Sequence, residues 1–211
     1  MIDQFLILFS YILIFSISLM LVAFGGMFSE RSGVINIGLE GIMVVGGFSG
    51  LLVLKALNST SIHPIFVVIL TILTSIIVGM LYSCLLAVAC IRFKADQTLV
   101  GTALNLLATS VALIFTKRLT GGASTTINYD KSAFVYIFGN FNFNIFLFLG
   151  IIILVASIIV LYKLKFGLRL RACGENPSAA DSVGINVNAY RYVGVLISGA
   201  LGGLGALAYI I

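Results

Sequence analysis

The sequence predicts an all-α fold: a polytopic bundle of transmembrane helices in one domain, residues 1–211. Three observations predict it. Hydrophobic residues make up 61% of the chain and charged residues 9%, against roughly 25% charged for a soluble domain. The mean hydropathy of +1.21 leaves too little polar surface to cover a globular particle in water. The apolar residues fall in about six helix-length runs, whereas a membrane β-barrel would show alternating segments of roughly ten residues.

A spanning helix needs about 20 mainly apolar residues, and Phe5 to Phe24 supplies the first. It is no signal peptide, because Asp3 but no Lys or Arg precedes it and no small-residue cleavage site follows. The Gly-rich stretch GGMFSERSGVINIGLEG, Gly25 to Gly41, comes next, and then a short apolar run, Ile42 to Leu54. That second span is expected to recruit residues from the Gly-rich stretch or to be a broken helix. Ile65 to Ile91 is uncharged and longer than a bilayer core, so tilt or a break near Gly79 is expected. Gln97 to Thr116, Ile145 to Tyr162 and Val193 to Ile211 complete the set. The chain stops at or inside an apolar run with no polar tail, which reads as a fragment, incomplete at its C-terminus.

Orientation follows from the cations, which favour cytoplasmic loops. Arg92 and Lys94 lie after the third span, and Lys163, Lys165, Arg169 and Arg171 after the fifth. Both loops are placed in the cytoplasm. The turn Asn58 to Pro64 and the segment Lys117 to Asn144 then lie outside, as does the N-terminus. A re-entrant half-helix around Gly25 to Gly50 would reverse that last assignment. The net charge of +5 thus reflects loop topology, and no basic patch interleaved with aromatics supports nucleic-acid binding.

Cys84, Cys90 and Cys173 are scattered without paired ligand spacing and read as packing residues. His63, the single histidine, cannot build a metal site and reads as a solvated turn residue. Glu30, Arg31 and Glu40 stand beside spans, where ionisable groups are expensive and often functional. Glu40, followed at once by an apolar run, is a candidate for the path of a translocated solute; the alternative is a structural role for the whole stretch. Gln97, Asn105 and Thr109 form a polar stripe at helical spacing that either lines such a path or hydrogen-bonds neighbouring helices. Gly46 to Gly50 and Gly199 to Gly203 have the small-xxx-small spacing of close helix packing. No nucleophile with a His base, carboxylate pair or phosphate-cradling GxxxxGK[ST] appears, so enzymatic function is not expected and no bound cofactor is implied.

The longest polar interruption is KLKFGLRLRACGENPSAADSVGINVNAYR, Lys163 to Arg191. Within it Asn176 suits an N-cap, Pro177 a first helical position and Gly184 the residue just past a helix C-terminus. The intervening residues make about two turns, too short to be stable without something to dock against. Either the helix packs on its own protein or a partner holds it.

GGMFSERSGVINIGLEGIM, ADQTLVGTALNLLA, and GLRLRACGENPSAADSVGINVNAYR followed by SGALGGLGALA resemble the permeases of ATP-binding-cassette importers. Within these they are similar to the branched-chain amino acid and simple-sugar permease superfamily, most nearly the shorter permease of nucleoside-type importers. The resemblance implies a multi-pass protein of the bacterial cell membrane that pairs with a second permease subunit. Two cytoplasmic ATPase subunits that use ATP, and an extracytoplasmic substrate-binding protein, are its implied partners. It also implies that Gly174, Glu175, Asn176, Pro177, Ala179, Ala180 and Gly184 form the element coupling the permease to the ATPase. The expected cargo is a nucleoside, with a simple sugar second; the alternative is an ion-coupled secondary transporter working alone.

Overall fold

The computed structural model describes residues 2–58, 63–122, 127, 129, 134–138 and 141–211. Among the described residues six helices are long and apolar enough to cross a membrane: α1 (Ile2–Arg31), α2 (Leu39–Asn58), α3 (Pro64–Ala87), α4 (Gln97–Leu119), α5 (Ile145–Tyr162) and α8 (Val187–Ile210). Two shorter helices, α6 (Lys165–Glu175) and α7 (Pro177–Ser182), lie between α5 and α8. An antiparallel pair, β1 (Val135–Phe138) and β2 (Phe141–Asn144), precedes α5 in a register that opposes Val135 to Asn144 and Phe138 to Phe141. The expected helical bundle is therefore found, with one small hairpin that the apolar periodicity did not announce. Residues 59–62, which hold most of the expected turn between α2 and α3, lie outside the described residues.

One boundary differs from the sequence expectation, and two decide between alternatives that it left open. The first helix does not stop at Phe24 but continues through Gly25 and Gly26 to Arg31, because both glycines face neighbouring helices and the backbone keeps its bonds. The turn is confined to Ser32–Gly38, and α2 recruits Leu39, Glu40 and Gly41 from the Gly-rich stretch. The third span does not break at Gly79; it runs unbroken to Ala87 and widens into a π-helical turn over Val88–Arg92. Gly79 is there for proximity to a neighbour, not for a bend.

The bundle is organised around α8, the most enclosed of the six spans. α3 runs antiparallel to it, with Gly79 against the Gly199 carbonyl and Ser75 against Gly203. α2 runs parallel: a Cβ on Gly46 would lie 2.7 Å from the Gly203 Cα. α1 covers another side, where a Cβ on Gly25 would lie 2.9 Å from the Ser198 carbonyl oxygen. Any side chain at Gly203 would strike the Ser75 backbone, a contact no rotamer change can relieve. Hydroxyls fix the approach. Ser75 Oγ sits 2.7 Å from the Gly203 carbonyl and 2.9 Å from that of Gly46, and Ser18 Oγ donates to the Gly205 carbonyl at 2.6 Å. Small residues at contact points with hydroxyls between helices are the expected mode of association where lipid supplies no hydrophobic drive.

The cations that set the expected orientation gather at one end of the bundle. The C-termini of α1, α3 and α5 and the N-termini of α2, α4 and α8 gather there. That end carries Arg31, Arg92, Lys94, Lys163, Lys165, Arg169, Arg171 and Arg191, eight of the 12 Lys and Arg.

Two outcomes are expected. Gly203→Val should cost about 3 kcal/mol and Ser75→Ala about 0.6 kcal/mol, read as loss of thermal stability in detergent; a Gly203→Val protein melting with the wild type would contradict the close approach. In intact cells Ser182→Cys should react with an impermeant thiol reagent only after the membrane is opened, and Lys117→Cys without opening; the reverse pattern would invert the orientation.

Candidate coupling surface at the basic end

The basic end is built by α6 folding back on α5. Gly167 lies against the carbonyls of Val160 and Leu161, which a side chain there would prevent. Leu170 and Cys173 are fully buried, and Leu170 shares a cluster with Phe28 and Leu161. Burial pushes the Cys173 thiol up from its ordinary range, partly offset by the Arg191 charge, so it is an inert packing group as expected. Phe166 packs on Tyr190 with ring centroids 5.6 Å apart, and the Arg171 guanidinium lies 5.1 Å from the Tyr162 ring centroid. Gly174 then touches the Arg31 carbonyl and the Gly33 backbone. That contact ties the end of α6 to the turn after α1.

From this platform α7 projects. Asn176 has extended backbone (φ −143°, ψ 91°), and its Oδ1 accepts from the Ala179 N–H at 3.1 Å and the Ser178 hydroxyl at 2.7 Å. It is an N-cap, and Pro177 begins the helix where no N–H is needed. At the other end Gly184 has φ +81°, its N–H donates to the Asp181 carbonyl at 2.9 Å, and the Ile185 N–H donates to the Ala180 carbonyl at 3.1 Å. A left-handed residue just past the C-terminus suits glycine. Asn186 caps α8 in turn, its Oδ1 accepting from the Ala189 N–H at 3.1 Å.

Of the residues that the sequence singles out here, Gly174 and Ala180 face inward, Ala180 only 3% exposed. Glu175, Asn176, Ala179 and Gly184 are exposed and Pro177 half-buried. Ser178, Asp181, Ser182 and Val183 complete the outward face, with Val183 73% exposed. Glu175 also borders a polar cleft of about 340 Å³ with Glu30, Arg31 and Arg171. The arrangement is a rigid, capped knob with small side chains and one apolar residue at its tip. It can fit a groove. Among the described residues no three His, Cys, Asp or Glu gather to hold a metal ion.

The four path candidates separate. Glu40 is exposed in the first turn of α2. Gln97 Oε1 accepts from the Ile35 N–H at 2.7 Å. Asn105 Oδ1 accepts from the Gly41 N–H at 2.7 Å, and its Nδ2 donates to the Ile37 carbonyl at 3.1 Å. Both amides thus pin the 32–38 turn to α4. Thr109 is exposed and donates within its own helix, 3.0 Å to the Leu106 carbonyl. Two residues escaped the sequence reading. Asn36 is buried, donates from Nδ2 to Ser198 Oγ at 2.8 Å and leaves its Oδ1 without a partner. Asn186 could have been found by the N-cap rule that identified Asn176. Asn36 had no such signal, since its partner is distant in sequence.

Against known proteins, residues 8–211 match the family described as branched-chain amino acid transport system / permease component. A nucleoside ABC transporter permease protein, NupC of Lactococcus lactis subsp. cremoris, is 38% identical over 207 residues, covering 93% of this chain and 65% of the relative. A guanosine ABC transporter permease protein, NupQ of Bacillus subtilis, is 38% identical over 210 residues with the same coverage, 93% and 65%. A putative glucose ABC transporter permease protein, TsgC13 of Haloferax volcanii, is 29% identical over 88% of this chain and 56% of the relative. No solved structure matches. The chain thus spans 65% of the length of each of the first two relatives. With six membrane-crossing helices it is a multi-pass protein of the bacterial plasma membrane, and it belongs to the branched-chain amino acid transport system / permease component family.

Proposed function

We propose that this chain is the permease subunit, or most of one, of an ATP-driven importer for nucleosides. The observation that carries the reading is the capped α7 knob exposed at the basic end, in a chain 38% identical over 93% of its length to permeases named for nucleosides and guanosine. A six-residue helix held by two caps on a buried platform is stable enough to transmit a push, and small outward side chains let a partner approach closely. The partners are two cytoplasmic ATPase subunits gripping α7, a second permease subunit, and an extracytoplasmic binding protein that delivers the solute. ATP is consumed by the ATPase subunits, and this chain binds no cofactor. An ion-coupled transporter working alone is less well supported, because Glu30 and Glu40 are exposed at helix ends, outside the bundle core.

The test uses the full-length protein assembled with its partners. Ala179 is exposed, so Ala179→Arg leaves the platform intact; it should lower ATP-driven guanosine uptake at least tenfold while the binding protein still captures guanosine. Asn176→Ala removes a cap worth about 1 kcal/mol, and Gly184→Val forces a β-branched residue into the left-handed region. Together they should loosen ATPase association in detergent pull-downs at equal permease levels. Full uptake by Ala179→Arg with the ATPase bound, or equal ATPase recovery from the double variant, would overturn the coupling role.

A further inference from the structure

Outward faces of the peripheral spans differ in a way that composition alone hides. On α3 the exposed residues between its ends, such as Ile69, Leu73, Ile77 and Leu81, are all apolar, and on α5 Ile151, Ile152, Val155, Ile158 and Ile159 are likewise. On α1 the exposed residues from Leu8 to Ala23 are apolar apart from Ser16 and the Tyr11 ring. Uniformly apolar faces of this kind suit contact with lipid. α4 breaks the pattern: Thr98, Thr102, Thr109 and Ser110 are all exposed. It is also the least enclosed of the six, and its mean hydropathy of 1.8 falls below the 2.3, 2.6 and 3.1 of α1, α3 and α5. α2 and α8 are comparably polar at 1.6 and 1.9, but between their ends they expose no Ser, Thr, Asn or charged side chain.

The α4 residues are ordered. Thr98, Thr102, Asn105 and Thr109 follow at spacings that keep one helix face, which ends before the buried Thr116. Thr102 Oγ1 donates to the Thr98 carbonyl at 2.9 Å, and Thr109 Oγ1 to that of Leu106 at 3.0 Å. Their protons are therefore engaged within the helix, and each exposed oxygen keeps the capacity to accept a hydrogen bond. No charged side chain stands between Gln97 and Thr116. Gln97 and Asn105 serve the neighbouring turn, so the threonines form the free part of the wall.

We infer that the threonine face of α4 is one wall of an aqueous passage, and that its solute is uncharged and rich in hydrogen-bond donors. This deepens the permease reading and rests on it for the solute, but the wetness of the face does not depend on which solute moves. A charged solute would meet no counter-charge along the wall, whereas ribose hydroxyls and base amino groups would meet a ladder of acceptors.

Substituted cysteines test this in the full transporter, with Cys84, Cys90 and Cys173 replaced by Ala. Thr102→Cys and Thr109→Cys probe the wall; Leu107→Cys and Val111→Cys, both at exposed positions, lie roughly 140–180° around the helix from them. Thr98→Cys replaces either wall variant if one fails to reach the membrane. A charged, impermeant methanethiosulfonate should modify the wall positions at least tenfold faster than the other two, and modification should block guanosine uptake. Equal rates at wall and control positions would overturn the wet face. A tenfold contrast with uptake unaffected would overturn the passage. A transporter that takes up no guanosine before modification contradicts the nucleoside reading instead, and the rate contrast then decides the wall alone.

Discussion

Everything else in the structure depends on how closely three helices approach α8. Glycines at 199 and 203 let α3 and α2 come to backbone distance, and Ser75 bridges both neighbours with one hydroxyl. α1 is held by Ser18 against the Gly205 carbonyl and by the Gly25 contact with Ser198. Because lipid tails are as apolar as leucine, packing of this kind must hold what water would hold in a soluble protein. The contact is backbone on backbone, so it tolerates no enlargement and defines one arrangement of α1, α2, α3 and α8.

That arrangement fixes the basic end. With α1 and α8 antiparallel, the turn at 32–38 comes to lie beside Gly174 and Arg191 at the start of α8. α6 can then seat Leu170 and Cys173 in the core, and α7 is carried on a platform continuous with two spanning helices. Displacement of α7 would be transmitted through Gly174 to the end of α1 and through Asn186 to α8. The same turn reaches α4 through Gln97 and Asn105. The knob and the threonine face are thus linked by a short chain of direct contacts, which is the physical route that the proposed ATP-driven cycle needs.

Much of this was legible in the sequence where one residue type has one conformational use. Asn176, Pro177 and Gly184 predicted the short helix, and it runs Pro177–Ser182 between those caps. Six apolar runs predicted six spans, because length and hydropathy are local properties. What was not legible depended on neighbours. Gly25, Gly26 and Gly79 read as turn or break signals, yet each lies within a helix, because glycine serves close approach as well as bending. Asn105 and Gln97 belonged to a visible polar stripe, but only tertiary structure shows that their amides hold the 32–38 turn while Thr102 and Thr109 stay on an exposed face. Ala179 and Ala180 are adjacent and chemically identical, and one faces out while the other is buried.

The central claim is that α7 is exposed because a cytoplasmic ATPase grips it. Hydrogen–deuterium exchange of the full-length permease in lipid nanodiscs, with and without the ATPase subunits, measures this directly. Amides from Ala179 to Asn186 should exchange at least tenfold more slowly in the complex, while those of the 117–122 segment at the opposite end stay unchanged. Unaltered exchange across 179–186 in a complex whose ATPase is demonstrably bound would contradict it.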